Sequence, residues 1–292
     1  MRTLLIVNPM SGARGQRWRS QDLPGMVQSW FPEAALHLTR AEGDATQAAL
    51  QAVADEIELV IAVGGDGTIN EVVNGLVGSS VHLGILPAGT ENVLAKERHV
   101  PTALEKAAAY LREAPARRAD VIRAGNRHYL CFAGVGFDAL VVEKVQPEAK
   151  ARLGAMAYVM TGFEQMFKYQ ETPRTATVQI DDGPPLKVPF WQIVVSNIKT
   201  YGGGLRPAPR ASIHDGLLDV IICPRAALPG GIHQIVATAT GAHLGLAEVR
   251  YLQGQRCWID TDPPSMVQID GDLLGPTPVL FEVLPQALWI RF

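Results

Sequence analysis

Short apolar runs alternate with helical patterns over the first 120 residues of the chain. The apolar runs lie at Leu4 to Val7, Ala34 to Leu38, Glu58 to Val63 and His82 to Leu86. Between them, Asp44 with Gln47 and Thr68 with Glu71 have the spacing of a capping box at the start of a helix. Strands that alternate with helices are typical of a parallel sheet covered by helices. We therefore predict a doubly wound α/β domain over residues 1–122.

The pattern changes after Asp120 to longer β-like runs that are joined by short turns such as Asp182-Gly183. These runs begin at His128, Thr175, Pro189, Gly216, Arg256, Ser265, Pro278 and Ala287. Sequential strands with short turns favour an antiparallel sandwich, which we place at residues 123–284. One helical pattern, Glu148 to Gln170, interrupts the runs, and glycine and proline clusters at Gly202 to Pro209 and Leu228 to Gly231 predict turns.

The apolar stripe of the Glu148 to Gln170 pattern includes Met156 and Met160 at helical spacing. A stripe of this kind packs on a core in most proteins, and methionines also suit a wall against a variable acyl chain. The pattern leaves both roles open.

Composition narrows the class of protein. The 292 residues are 47% hydrophobic and 19% charged, and 26 basic and 29 acidic residues give a net charge of −3. This balance excludes a disordered chain and gives no support for nucleic acid as a partner. The 3 cysteines lie far apart, which indicates neither a disulfide framework nor a zinc site. No run approaches the roughly 18 apolar residues of a transmembrane segment, so we expect any membrane contact to be peripheral.

The strongest chemical signal is the glycine-rich segment that runs from Gly64 to Thr68 after an apolar strand. Glycines let the backbone approach a phosphate closely, and the free N–H groups at the start of the next helix favour anions. Asp66 would repel phosphate directly, so it would act through a divalent cation or orient a donor group. The alternative is a tight connection between a strand and a helix with an aspartate in the turn. The segment lacks the spacing of the dinucleotide fingerprint and of the P-loop.

This segment, GGDGT, resembles the hallmark of the diacylglycerol kinase catalytic-domain family, which includes bacterial lipid kinases and the sphingosine and ceramide kinases. Three further segments are similar to family motifs in the family's order: NPMSG to its nucleotide loop, TRAEGDA to its Thr-x-x-x-Gly-Asp-Ala segment, and PAGTEN to its PxGTxND segment. The residues that this resemblance assigns to ATP are Asn8, Pro9, Ser11, Gly12, Thr39, Gly64, Gly65, Asp66, Gly67, Thr68, Asn70, Gly89 and Thr90. Val93 stands where the family has an aspartate.

In the second half, the segment YGGGLRPAPRASIHDGLLD resembles the family run that holds a structural Mg²⁺. The resemblance assigns this ion to the Asp215 carboxylate and to the carbonyl oxygens of Ser212 and Leu217, which are hard ligands of the kind that magnesium prefers. His214 replaces an acidic residue of the relatives. The alternative is a plain Asp-Gly turn between two strands.

The segment IDGD near the C-terminus resembles the family's DGE segment, which supplies the catalytic base. Asp270 and Asp272 are therefore the candidate bases, with Asp66 as the third candidate catalytic residue, and the choice between the first two stays open. Asp272 replaces the family's glutamate and is shorter by one methylene group.

The resemblance extends from about Leu4 to Leu273 and implies a fold similar to those of diacylglycerol kinase and NAD kinase, with residues 285–292 returning to the first domain. It implies transfer of the γ-phosphoryl group from ATP, with Mg²⁺, to a hydroxyl of a diacylglycerol-like or sphingoid lipid, in a cleft between a nucleotide domain and an acceptor domain. It also implies a cytoplasmic enzyme, peripheral at the inner face of the membrane that presents the lipid. The oligomeric state stays open, with a homodimer as one option.

Two alternatives remain. An NAD kinase shares the GGDGT segment and the two-domain plan, but its TPTGSTAY-like segment is not evident here. A relative that binds nucleotide or lipid without catalysis is the second alternative, because Val93, His214 and Asp272 depart from the family pattern.

Overall fold

The structure of the protein, a computed structural model, describes residues 1–12, 22–145, 160–162, 164–165, 173–224, 228–246 and 249–292. The chain forms two compact units. One contains Met1–Val121 together with Gln286–Phe292, and the other contains Ile122–Pro285. Each unit has its own sheet structure and is described separately.

The first unit is built on a parallel sheet. Its strands are β1 (Thr3–Val7), β2 (Ala35–Leu38), β3 (Leu59–Gly64), β4 (His82–Pro87) and the last part of β16 (Val279–Arg291), in the order β2-β1-β3-β4-β16. Every neighbouring pair in this order is parallel. All six residues of β3 are buried, as expected for a central strand that is covered on both faces.

Five helices lie in the described part of the first unit, residues 1–12, 22–121 and 286–292. They are α1 (Leu23–Trp30), α2 (Asp44–Ala54), α3 (Asp66–Leu76), α4 (Val93–Glu97) and α5 (Leu104–Glu113). Helices α2 and α3 pack closely because Gly75 has no side chain, since a Cβ atom there would lie 2.7 Å from the carbonyl oxygen of Thr46. The predicted alternation of strands and helices is therefore present.

The capping box predicted at Asp44 does not form. The residue before α2 that caps it is Gly43, with a φ of +83°, and Asp44 is the first helical residue. Its carboxylate accepts the backbone N–H of Arg40 at 2.8 Å instead. The N–H of Ala45 donates to the Glu71 carboxylate at 3.1 Å, so a side chain from α3 satisfies the start of α2.

The box predicted at Thr68 is also wrong, because α3 begins two residues earlier, at Asp66, with Gly65 as its N-cap residue. Gly65 has no side chain that could cap the N–H groups at this helix start. Thr68 is buried in the first turn of α3, where its hydroxyl contacts the loop after β1.

The described residues of the second unit form two antiparallel sheets. Its strands are β5 (Ala116–Ala124, which starts in the first unit), β6 (Arg127–Tyr129), β7 (Phe132–Gly136), β8 (Thr175–Ile180), β9 (Leu186–Pro189), β10 (Gln192–Ser196), β11 (Leu218–Cys223), β12 (Arg250–Gly254), β13 (Arg256–Asp262), β14 (Met266–Ile269), β15 (Asp272–Pro276) and the first part of β16. One sheet has the order β12-β11-β10-β7-β14-β15. In the other, β16 is followed by β13, β8 and β9.

The core of the second unit lies between these sheets. Alternate residues of β14, Val267 and Ile269, join Val178 and Phe281 of the other sheet in one buried apolar cluster. This alternation is what two sheets packed face to face require. The predicted fold class, a parallel α/β domain followed by an antiparallel sandwich, is confirmed.

Two segments of the second unit differ from the prediction. The apolar run at His128 was expected to continue as a strand, but helix α6 (Phe137–Lys144) begins directly after β7, where Gly136 turns the chain with a φ of +105°. The cluster predicted as a turn at Leu228 to Gly231 opens helix α7 (Leu228–Thr240), because proline is tolerated in the first turn of a helix.

The predicted helix at Glu148 to Gln170 lies mostly outside the described residues. Residues 160–162 and 164–165 are helical, and Met160 is 59% exposed. The described part of the chain contains no helix that is long and apolar enough to cross a membrane.

Candidate functional site

The glycine-rich segment lies at the carboxyl end of β3, in the first unit. Gly64 ends the strand, Gly65 precedes the helix, and Asp66 is the first residue of α3. Gly67 is exposed, and a Cβ atom there would meet no other atom within 4 Å. The start of α3 therefore offers uncapped N–H groups beside an open backbone, an arrangement that favours an anion such as phosphate.

A second loop packs against this segment from the end of the neighbouring strand, β4. A Cβ atom on Gly89 would overlap the Cα atom of Gly65, so glycine is required for the two backbones to touch. The loop is closed on itself by buried Asn92, whose amide oxygen accepts the Gly89 N–H at 2.9 Å while its amide nitrogen donates to the Gly89 carbonyl at 2.8 Å. Both glycines thus have a packing role.

The carboxylate of Asp66 joins the two loops. It accepts hydrogen bonds from the backbone N–H groups of Val93 and Leu94 at the start of α4. Burial raises the pKa of Asp66, and these hydrogen bonds act in the opposite direction. Its Oδ1 atom is buried without a hydrogen-bond partner. Because the contact uses the backbone of Val93, the loss of the family's aspartate at this position leaves it intact.

The loop after β1 is tied to the same segment. The Asn8 side chain donates to the Thr68 hydroxyl at 3.1 Å, and its backbone N–H donates to the Val63 carbonyl at 2.9 Å. Ser11 is buried nearby in sequence, and Gly12 has a φ of +100°. The structure therefore brings together the motifs that follow β1 and β3.

The other predicted nucleotide residues lie on the same unit. Thr39 follows β2, and its N–H donates to the Val7 carbonyl of β1 at 2.9 Å. Pro9 and Thr90 are exposed in the loops after β1 and β4. Asn70 lies one turn after Asp66 on α3, buried, with an amide oxygen that has no hydrogen-bond partner. The predicted set thus follows the carboxyl ends of four parallel strands, where ligands of open α/β sheets bind.

The acidic turn, which we define as residues 270–272, connects β14 and β15 in the second unit. Asp270 and Gly271 both have positive φ values, +47° and +93°, as a two-residue hairpin turn requires. The Asp270 carboxylate accepts the Phe132 N–H at 2.9 Å, and the Asp270 N–H donates to the Phe132 carbonyl at 3.0 Å. The Gly271 N–H donates to the Gln268 side chain at 2.8 Å. The turn is therefore fixed at two points.

Asp272 differs from Asp270 in its surroundings. Its side chain is 49% exposed, and it pairs with Arg127 at 3.3 Å. One oxygen of Asp270 is engaged with the backbone of Phe132, whereas the carboxylate of Asp272, the first residue of β15, is half-exposed and paired with Arg127.

The predicted metal residues form a hydrogen-bonded turn before β11. The Asp215 carboxylate accepts the Leu217 N–H at 3.1 Å, and the Ser212 hydroxyl oxygen accepts the His214 N–H at 3.3 Å. Gly216 has a φ of +71°. Among the described residues, no cluster of three or more His, Cys, Asp or Glu side chains could hold a metal ion, so a cation here would depend on carbonyl oxygens.

Asp219, which the sequence analysis did not single out, lies close to this turn. It is fully buried, accepts hydrogen bonds from Tyr251 and Gln253, and keeps an Oδ2 atom without a partner. Burial raises the pKa of Asp219 to about 6, and the negative charge of Asp215 adds to the increase. Two neighbouring carboxylates and a turn with carbonyl oxygens fit a hard divalent cation.

A second buried carboxylate, Asp138, was also missed. It is the second residue of α6 and accepts hydrogen bonds from the Tyr201 hydroxyl and from Gln268, whose side chain also holds the acidic turn. Burial raises the pKa of Asp138. The only signal in the sequence is the glycine-rich context of GVGFDA, which does not point to the acidic turn more than 130 residues later.

Comparison with known proteins gives consistent matches over both units. The model of the diacylglycerol kinase catalytic domain matches residues 2–124, and the model of the YegS C-terminal NAD kinase beta sandwich-like domain matches residues 132–292. The diacylglycerol kinase of Bacillus subtilis (strain 168) is 31% identical over 282 residues, which cover 95% of this chain and 91% of that protein.

Two further matches agree. A probable lipid kinase YegS-like of Chromohalobacter salexigens is 34% identical over 224 residues, 75% of this chain and 70% of that protein. A crystal structure of a Bacillus anthracis str. Sterne protein superposes with a TM-score of 0.79 at 25% identity, covering 100% of this chain and 95% of that one.

Proposed function

The chain belongs to the diacylglycerol kinase family and is a lipid kinase, and from this premise we propose that it transfers the γ-phosphoryl group of ATP to a hydroxyl of a diacylglycerol-like lipid. ATP use follows from the kinase family. The acceptor class is proposed from the name of the Bacillus subtilis relative, and a sphingoid base is the other acceptor that the motifs suggest.

The nucleotide is proposed to bind at the two glycine loops of the first unit. The uncapped N–H groups of α3 and the open backbone at Gly67 would take the phosphates, while Asn8, Thr39 and Thr90 lie on the adjoining loops. Positioned N–H groups stabilise negative charge on a phosphate without reorganising during the reaction. The close contact of Gly65 with Gly89 keeps these groups in place.

Asp272 is proposed as the base. It takes the proton of the lipid hydroxyl as that oxygen bonds to the γ-phosphorus and the bond to the ADP oxygen breaks. Asp272 suits this role better than Asp270, because Asp270 uses a carboxylate oxygen to hold Phe132 whereas Asp272 is half-exposed. We assign Asp270 to holding the turn. Asp66, which is hydrogen-bonded to α4, is proposed to act by fixing the loop after β4 and by offering Oδ1 to a bound group.

The turn at Ser212, Asp215 and Leu217 is proposed to hold magnesium, with Asp219 as a buried second carboxylate beside it. When bound, magnesium supplies positive charge that offsets negative charge on oxygen ligands. The protein's own contribution includes Gly216, whose φ of +71° bends the chain between Asp215 and Leu217. Presentation of the lipid from a membrane surface and a homodimer are further predictions.

The observation that carries the proposal is the backbone packing of Gly65 on Gly89, which places two glycine loops at the start of an uncapped helix. The test uses radiolabelled ATP and vesicles containing diacylglycerol, ceramide, a sphingoid base or a polyprenol, with NAD in a parallel reaction. Labelled diacylglycerol is the expected product. A labelled sphingoid base would change the acceptor, labelled NAD would favour an NAD kinase, and ATP binding without a labelled product would favour an inactive relative.

A further inference from the structure

The acidic turn is attached to a polar cluster on the outer face of its own sheet. Strand residues alternate between faces, so Gln268 points away from the core that Val267 and Ile269 enter. Its partner across the strand pair is Gly134 of β7. Helix α6 packs against β14 on this face and brings Asp138 over the sheet.

Gly134 makes this approach possible. A Cβ atom at that position would overlap the Asp138 carboxylate, which occupies the space where a side chain would stand beside Gln268. The Gln268 amide nitrogen donates to Asp138 Oδ2 at 3.0 Å. Gly134 is therefore required for the contact between Asp138 and Gln268, and not for a turn.

The orientation of the Gln268 amide is determined from both sides. Its oxygen must face the Gly271 N–H, which can only donate, and it accepts that bond at 2.8 Å. Its nitrogen must then face an acceptor, which Asp138 supplies. These two hydrogen bonds connect Asp138 on helix α6 to Gly271, the middle residue of the acidic turn.

Tyr201 adds a second connection. Its hydroxyl donates to Asp138 Oδ2, and its ring stacks on Phe132 with ring centroids 3.9 Å apart. Phe132 is the residue whose backbone exchanges two hydrogen bonds with Asp270. One cluster therefore supports both Asp270 and Gly271, the two residues that precede the proposed base.

We propose that Gln268 is a positioning residue for the acidic turn, and that Asp138 and Tyr201 position Gln268. This inference rests on the proposed function, since it concerns the turn that carries Asp272. The cluster fixes the backbone at Asp270 and Gly271 so that the Asp272 carboxylate meets the lipid hydroxyl. An error of about 1 Å in such a placement lowers the rate by about a hundredfold.

The test is an exchange of the amide and the carboxylate. In Gln268→Glu, the amide that donates to Asp138 is replaced by a carboxylate, so this hydrogen bond is lost and the two carboxylates repel each other when both are ionised. In the double variant Asp138→Asn with Gln268→Glu, the carboxylate at 268 accepts from both Gly271 and the new amide, so the connection is restored with the groups exchanged. We expect kcat to fall about a hundredfold in the single variant and to return to within about tenfold of the wild type in the double variant, with KM for ATP unchanged.

Two other variants separate positioning from folding. Tyr201→Phe keeps the ring on Phe132 and removes the hydroxyl, so we expect about a tenfold lower kcat in a protein that is still folded at the assay temperature. Gln179→Glu is the matched control, because Gln179 also supports a hairpin, donating to the Gly183 carbonyl at 3.0 Å, but lies on β8. Its kcat should equal that of the wild type.

The results decide between the explanations. A normal kcat in Gln268→Glu, or a double variant that regains its melting temperature without regaining kcat, would overturn the inference. Hydrogen exchange of the Gly271 amide gives a readout that needs no activity. Protection should fall in Gln268→Glu, because the new carboxylate can accept from Gly271 but is no longer held in place by Asp138, and it should recover in the double variant. If the wild type phosphorylates no lipid, the proposed function fails, and Gly271 protection alone then decides whether the cluster holds the turn.

Discussion

The glycine loops of the first unit and the acidic turn of the second both follow a β-strand and both contain an Asp-Gly pair, but they are held in different ways. At Gly65 and Gly89 the support is backbone against backbone, and it needs the absence of side chains. At Asp270 and Gly271 it consists of hydrogen bonds with the Phe132 backbone and with the Gln268 side chain, which accepts the Gly271 N–H. The first kind of support is visible in the glycine motifs, whereas the second depends on Phe132 and, through Gln268, on Asp138, which are both distant from the turn in the chain.

The largest effect is expected at the acidic turn itself. Asp272→Asn removes the proposed base, so kcat should fall about a thousandfold while KM for ATP stays the same. Asp182→Asn is the matched control, because Asp182 is also an exposed aspartate paired with an arginine, at 2.8 Å from Arg256. Steady-state kinetics of both variants test the assignment, and it fails if Asp270→Asn loses more activity than Asp272→Asn.

Asp66→Asn should lower turnover about a hundredfold, because an amide can still accept the N–H groups of α4 but places a donor where Oδ1 now lies. A single-turnover assay measures the loss. Nearly normal turnover would show that Asp66 only accepts the backbone N–H groups at the start of α4 and does not contribute to turnover.

The same variant, Asp66→Asn, should also change how the melting temperature depends on pH. Burial raises the pKa of Asp66 above its ordinary value of 3.8, so the folded protein binds this proton more tightly than the unfolded chain. Stability is therefore lost as pH rises from that value through the folded pKa. An asparagine does not ionise, so Asp66→Asn does not lose stability in this way and should melt at a higher temperature than the wild type at pH 7.5. Below pH 3.8, where Asp66 is protonated in both states, the two melting temperatures should be equal. A constant difference across this range would contradict the assignment.

The backbone contact is tested by adding one methyl group. Gly89→Ala forces a Cβ atom into Gly65, and we expect the free energy of unfolding to fall by about 3 kcal/mol. Gly67→Ala is the control, because open space surrounds that position and alanine favours a helix by about 1 kcal/mol. Urea denaturation measures both. If Gly67→Ala is as unstable as Gly89→Ala, the two glycines do not have separate roles.

The smallest effect is expected at the predicted metal turn. Asp215→Ala removes a carboxylate and the acceptor of the Leu217 N–H, so the magnesium concentration for half-maximal thermal stabilisation should rise about tenfold. A melting curve measured against magnesium tests this, with Asp182→Asn again unchanged. An identical magnesium titration would remove the ion from this turn.

The sequence predicted the architecture well where hydrophobic period and turn chemistry act locally. The alternation of apolar runs with helical patterns predicted the parallel sheet, and sequential β-like runs joined by short turns predicted the sandwich. Boundaries were less accurate, because Asp44 and Thr68 had the composition of caps while glycines at positions 43 and 65 took the cap positions. A left-handed or extended glycine competes with a capping side chain, and the sequence alone does not show which will win.

The motifs of the candidate site were predicted, but their supports were not. Asp66 was expected to act on the ligand, and its bonds to the α4 backbone depend on how two loops meet. Gln268 directly precedes the IDGD motif and Asp138 lies in GVGFDA, but neither segment indicates that the two side chains meet, because their contact requires the register that pairs Gly134 with Gln268. Pairing between distant strands sets such contacts, and one sequence does not specify that pairing.

Strand β16 has a consequence for how the protein is made. Its final residues pair with β4, where Trp289 lies beside His82 and Ile290 beside Leu83. The ribosome adds these residues some 200 positions after β4, so β4 lacks this neighbouring strand until synthesis is almost finished. During translation that edge of β4 offers unpaired N–H and carbonyl groups to any nascent neighbour. Newly synthesised chains should therefore depend on a chaperone in this interval, more than the mature protein does.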